Sequence, residues 1–305
     1  MKNLVSCAVV VLVATSVSLS AQWPKFREAS VPRDEKGQVR IEGPAPRTPD
    51  GKPDLSGMWL RADPEPLPAE LAGLFGPGAA KRDPSGDVVQ EVFAKPFPAD
   101  PKSPPLAAFW DIATNVPGGL PLTPWAAGVK KQRMANEMKD NPDANCMPMG
   151  ITQFHMQPQP RKIIQTPKLI VILYEANYGQ RLIYLDGRAL PKQGEPQPWW
   201  YGYSVGRWDG DTLVVETNNL RGAEDGPFDG WLDVRGTPYS NQAKFIERFR
   251  RPMFGKLEID VTLEDAKALA KPFTLRINQR VLADEEPIEF VCNENQQFRQ
   301  RIKIG

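Results

Sequence analysis

Residues 201–220 read YGYSVGRWDGDTLVVETNNL, two β-branched and aromatic runs joined by Asp209-Gly210. An Asp-Gly step between such runs is a hairpin signal, because glycine takes the positive φ that a tight two-residue turn needs. Working outward, the same pattern recurs. KIIQT (162–166), LIVILYEA (169–176) and QRLIYLD (180–186) precede the hairpin; AKFIERFR (243–250), KLEIDVTL (256–263), FTLRINQRV (273–281) and IEFVCN (288–293) follow it. With LSGMWLR (55–61) as a first strand, the spacing predicts an all-β fold, an antiparallel β-barrel of roughly nine or ten strands. No fixed-period repeat is present, which argues against a propeller.

Alternation assigns faces within the runs. Leu257, Ile259 and Val261 share one side, as do Phe273, Leu275 and Ile277, and Ile288, Phe290 and Cys292. In AKFIERFR the inward set is Phe245, Glu247 and Phe249, which places a carboxylate between two aromatic rings. Ile170–Tyr174 is apolar on both faces, so it calls for a cover outside the sheet.

Nineteen of the 32 prolines fall before residue 125. Residues 22–160 therefore read as a long proline-rich segment that wraps the meander of residues 161–305 and forms one compact unit with it. Trp59, Phe93, Phe97, Phe109 and Trp110 give that segment side chains to bury. One or two short helices are expected in it. One lies near Ala69–Phe75; another is opened by Thr123 as N-cap, with Pro124 at its first position, and runs to about Lys139 before Asn141-Pro142.

Composition narrows the function more by exclusion than by naming. Hydrophobic residues make up 41% of the 305-residue chain and charged residues 25%, which is globular. With 38 basic and 37 acidic side chains there is no electrostatic reason to expect a nucleic-acid or anionic-membrane partner. A single His and three Cys exclude most zinc sites, so no metal and no cofactor are expected. Residues 1–21, MKNLVSCAVVVLVATSVSLSA, have one basic residue, an apolar run and small residues ending at Ala21. This is the pattern of a Sec signal peptide, so the chain is expected to be exported to the periplasm or beyond, with no transmembrane segment in the mature chain. Cys146 and Cys292 then remain, and in an oxidising compartment they are expected to form one disulfide.

Two places stand out chemically. On the strand near 200–208, Trp200, Gly202, Ser204, Gly206 and Trp208 share one face, while Tyr203 and Arg207 lie on the other. Small residues flanked by aromatic ones suggest a hollow in which a ring could stack, with Trp200, Tyr203, Arg207, Trp208 and Arg181 as the ligand-binding set. Gly202–Gly206 spells G-x-S-x-G, but a hairpin follows instead of a helix and no His lies downstream, so it is not a nucleophile elbow. The other place is a set of candidate acid–base groups. His155, in a loop entering the barrel, has the one side chain whose unperturbed pKa suits proton transfer near neutrality. Glu175 and Glu247 are the carboxylates most exposed to desolvation, and Arg181, Arg207 or Arg248 could pair with them. Asp209/Asp211 and Glu224/Asp225/Asp229 read as turn chemistry.

PDLSGMW (53–59), NPDANCMPMG (141–150), KIIQTPKLIVILYEAN (162–177), GYSVGRWDGDTLVVET (202–217) and EFVCNEN (289–295) together resemble a family of secreted, β-rich bacterial proteins to which no activity is attached. Gly57-Met58-Trp59 is similar to the Gly-x-Trp signature of lipocalins and calycins. In that group the Trp closes one end of the barrel and ligands enter the other, although no long insertion follows the first strand there. The resemblance implies a secreted barrel that binds a small apolar or aromatic molecule. The alternative is a secreted hydrolase or lyase acting on a glycan or lipophilic substrate through Glu175, Glu247, His155 and a tyrosine. A converging carboxylate, His and Tyr would favour catalysis.

Overall fold

The structure, a computed structural model, describes residues 27–63 and 97–292. The stretch read as a signal peptide, the helix expected near Ala69–Phe75 and Phe93 lie outside the described residues. Nine strands close a barrel in chain order: β1 (Gly57–Arg61), β2 (Arg161–Gln165), β3 (Leu169–Tyr174), β4 (Gln180–Tyr184), β5 (Tyr203–Asp209), β6 (Thr212–Asn218), β7 (Lys244–Met253), β8 (Lys256–Glu264) and β9 (Phe273–Val281). β9 returns to β1 through Trp59↔Val281 and Arg61↔Gln279. No helix among the described residues is long and apolar enough to cross a membrane.

The meander is not wholly antiparallel. β4 and β5 pair parallel, with Ile183 opposite Ser204 and Tyr184 opposite Val205. Parity demands one such pair: alternating directions cannot close a ring with an odd number of strands. The break falls where residues 185–202 make a proline-rich crossing in place of a hairpin.

The expected tenth strand does not form. Residues 288–292 are irregular, with Ile288 50% and Val291 40% exposed. β9 already pairs with β8 and β1, so the closed sheet has no edge to accept IEFVCN. The other faces follow the alternation: Phe245, Glu247, Phe249, Leu257, Ile259, Val261, Leu275 and Ile277 are buried.

Helix α1 (Pro124–Ala135) begins as expected, with Thr123 Oγ1 accepting from the Ala126 amide at 3.3 Å. It stops before Lys139, because Glu137 and Met138 turn to positive φ. Helix α2 (Ile151–Met156) occupies the stretch read as a loop, and all six of its residues are buried. Phe154 stacks on Tyr174 at the end of β3, 4.4 Å between ring centroids, and packs against Gly179, where a Cβ would lie 2.5 Å from its ring. α2 is thus a plug at the mouth where β3 gives way to β4. Toward the other end Trp59 is fully buried, its indole N–H donating to Leu55 O, with the Arg251 guanidinium 4.8 Å over the ring.

The described proline-rich stretches attach along β7–β9. Phe254 N donates to Gly43 O, Ala107 N to Arg276 O, and Leu122 bridges Leu269. They do not cover β3 as expected: Ile164 and Leu182, which flank Val171 on its outer face, are 40% and 45% exposed. Cys146 and Cys292 form the disulfide, with Cα atoms 5.6 Å apart.

Candidate functional site

The core of the site is one carboxylate. Glu247 on β7 points inward and is fully buried between Phe245 and Phe249. Arg181 on β4 grips it with a bidentate pair, Nη1 to Oε1 at 2.9 Å and Nη2 to Oε2. Arg181 also donates to Ser204 Oγ at 3.2 Å and Thr217 Oγ1 at 2.9 Å, and those hydroxyls bond each other at 2.8 Å. His155, carried inward by α2, completes the cluster, with Nε2 2.8 Å from Glu247 Oε1.

The electrostatics fix the protonation states. Burial pushes the Glu247 carboxyl up, but the Arg181 charge and hydrogen bonds and the His155 bond outweigh it and hold the group well below the usual carboxylate range. Burial depresses the His155 pKa; the Glu247 bond opposes that, and the charges of Arg181 and Arg161 reinforce it. His155 is therefore a neutral imidazole near pH 7. Its Nε2 carries the proton, since an ionised carboxylate can only accept. Nδ1 is left as a buried lone pair with no partner among the described residues. Tyr174, whose ring centroid lies 6.1 Å from that of His155, has a buried hydroxyl whose oxygen faces the Arg181 guanidinium and whose O–H finds no acceptor among the described residues. Burial raises its pKa to about 12, so it remains a neutral donor.

This protonation pattern predicts a pH dependence. The unfolded chain takes up a proton on His155 near pH 6.5, while the folded chain resists it. The contribution of neutral His155 is complete above that pH and is lost as pH falls below it, at up to about 1.4 kcal/mol per pH unit. Glu247 adds its own loss as pH falls below its ordinary 4.5. Denaturation midpoints for wild type and His155→Gln between pH 7.5 and 5 should converge toward acid. Parallel curves would show that His155 does not titrate differently in the two states.

The remaining expected site residues lie elsewhere. Glu175 is buried beside the 282–292 segment and accepts from the Ile288 amide at 3.1 Å, so it does not join the cluster. Its pKa is raised by burial. On β5 the Ser204 face points inward and Arg207 is exposed. Tyr203, on the outer face, stacks on Tyr184 and accepts from Arg188. Trp200 lies before the strand under the Arg221 guanidinium, and Trp208 packs against the core. The hollow along this strand is filled by neighbours. A Cβ at Gly206 would lie 2.7 Å from Leu185 and 3.0 Å from Ile183; one at Gly202 would lie 2.5 Å from the Asn218 carbonyl oxygen. Gly206→Leu should overpack this wall and cost about 1–3 kcal/mol. A denaturation curve on that variant would check this.

Asp225 accepts from the Gly222 amide, Asp229 pairs with Arg221, and Glu224 pairs with Lys267, so these carboxylates organise a loop. Asp209 and Asp211 pair with Arg248 and Arg47. From sequence, Ser204 reads only as a rejected nucleophile and as part of a hollow, and neither Thr217 nor Tyr174 is singled out. Inward parity on β3, β5 and β6 is the signal that finds them.

No family model, curated protein or solved structure matches this chain. The resemblances to secreted β-rich proteins and to lipocalins thus gain no support from relatives, and function has to be argued from these side chains.

Proposed function

We propose that the protein binds a small molecule, largely apolar or aromatic, whose polar end is held between His155 Nδ1 and the Tyr174 hydroxyl. One observation carries this reading: beside a neutralised Arg181–Glu247 pair, the His155 Nδ1 lone pair has no donor and the Tyr174 O–H has no acceptor among the described residues. Each such orphan costs about 1–3 kcal/mol, which a guest offering a donor and an acceptor would recover. The apolar surround of Phe154, Phe249 and Ile172 suits a ring. Entry would pass through the mouth that α2 plugs, where Tyr201 packs against Phe154 and is only partly buried. An exported protein is the expected setting.

A second reading is favoured by the His155–Glu247 pair itself. A neutral imidazole oriented by a carboxylate, with its other nitrogen bare, is a general base in waiting. Native mass spectrometry of protein from its own host would show a guest that leaves on acid denaturation. Tyr174→Phe and His155→Gln should each retain about tenfold less of it, if each forms one hydrogen bond to the guest. A chain that carries nothing, and that gains no thermal stability from small aromatic alcohols, would end the binding reading.

A further inference from the structure

A separate groove opens on the outside of the barrel, where residues 28–58 meet β2 and the chain after β9. Its volume is about 450 Å³, within the roughly 300–1,000 Å³ of small-ligand sites. The floor is apolar: Met58, Ile163, Phe254 and Val281 line it, each nearly buried. Two features of opposite charge accompany that floor.

The first is Arg251, which lines the groove at only 5% exposure. Its guanidinium is fixed by backbone carbonyls: Nη1 donates to Asp54 and Ser56, and Nε and Nη2 donate to Phe254. Trp59 and Phe254 hold its faces. Among the described residues no carboxylate lies within ion-pair distance of it, so its contacts are all carbonyl dipoles, and the Asp54 and Glu28 carboxylates act on its charge only from farther off. Burial accordingly depresses its pKa, to about 10. Such a cation gains from an anion that reaches it.

The second feature is the rim. Glu28, Asp54 and Glu285 line the groove with no ion-pair contact to a basic side chain among the described residues, although Glu28 and Asp54 feel the Arg251 charge at longer range. Asp284 and Glu286 beside them are already paired, with Arg33 and Lys162. An anion alone would be repelled at this rim, and a cation alone would leave Arg251 with no anion in contact and draw the rim charge away from it. A molecule carrying both charges on an apolar body satisfies all three surfaces.

We propose that this groove binds a short apolar peptide with free termini, its carboxylate at Arg251, its side chains on the Met58–Phe254 floor and its ammonium at the Glu28/Asp54/Glu285 rim. The site is independent of the interior cluster, so the two readings fail separately.

Calorimetric titration of the disulfide-intact protein with Leu-Ala-Leu, its C-terminal amide and its N-acetylated form tests the assignment. The free tripeptide should bind saturably at millimolar concentration or below. The amide should bind about tenfold more weakly or worse, because it loses a charge-assisted bond to a desolvated guanidinium. The acetylated form should lose about 2- to 5-fold, since the rim charges are solvated. Glu28→Gln with Glu285→Gln, both exposed positions, should reproduce the smaller loss while leaving the amide's deficit in place. Absence of saturable binding, equal binding of the amide, or indifference to the paired glutamine substitutions would each overturn the proposal.

Discussion

Replacing Glu247 by Leu should destabilise the protein by about 3–5 kcal/mol. The substitution removes the only carboxylate in contact with Arg181 among the described residues, and Arg181 is 2% exposed and points into the barrel. Ser204 and Thr217 would still accept hydrogen bonds, but hydroxyl dipoles do not neutralise a guanidinium shut away from water. The Nε2–H of His155 loses its acceptor in the same step. Most of the loss therefore belongs to what is left behind and not to the bond removed. The double variant Arg181→Met/Glu247→Leu tests that attribution. With both charges gone and the volume kept apolar, it should be more stable than Glu247→Leu alone by about 1–3 kcal/mol. Urea unfolding of the four corners of the cycle measures this. A single variant within about 1 kcal/mol of wild type would mean that water already reaches the pair.

The strands and their faces could be read from sequence, because period-2 alternation is a local property and a barrel must bury one side of every strand. The same alternation put Glu247 between Phe245 and Phe249 and made it suspect. Three things were not local. The parallel β4–β5 pair follows from ring closure with nine strands, a constraint no single segment carries. The failure of IEFVCN to become a strand follows from β9 being taken on both sides. Helix α2 is six residues long, too short for a 3.6-residue period to show. Its boundaries were nonetheless marked by Gly150, where a Cβ would lie 2.7 Å from the Trp231 carbonyl oxygen, and by the prolines at 158 and 160. His155, Arg181 and Glu247 were each singled out, but their convergence depends on where the plug enters. The hollow at Gly202/Ser204/Gly206 misled for a related reason: small residues mark a close approach as readily as an empty space. Here Leu185 and Ile183 make the approach.

Reduction of Cys146–Cys292 should lower stability by about 2–5 kcal/mol. The bridge spans 146 residues of chain, and in the chain-entropy model closing a loop of that size removes about 5 kcal/mol of unfolded-state freedom at 25 °C. The measured value should fall short of that limit, and the structure indicates why. Residues 285–292 form no strand; Ile288 and Val291 are exposed, and the Ile288–Glu175 and Lys162–Glu286 contacts are among those that tie the segment down. Once the bridge opens, this segment can fray while the barrel stays folded, so the folded state regains some of the entropy that the unfolded state regains. The plug side behaves differently. Cys146 lies five residues before α2, whose Thr152 bonds Leu232 and whose His155 bonds Glu247, so it is held independently of the sulfur. Cys292→Ser should therefore lower the melting temperature by roughly 4–10 °C, at about 2 °C per kcal/mol for a chain of this size. Hydrogen exchange should rise first at residues 285–292 and leave 151–156 protected. If exchange rises equally in both segments, the bridge is holding the plug as well as the strap, and the barrel mouth depends on the disulfide.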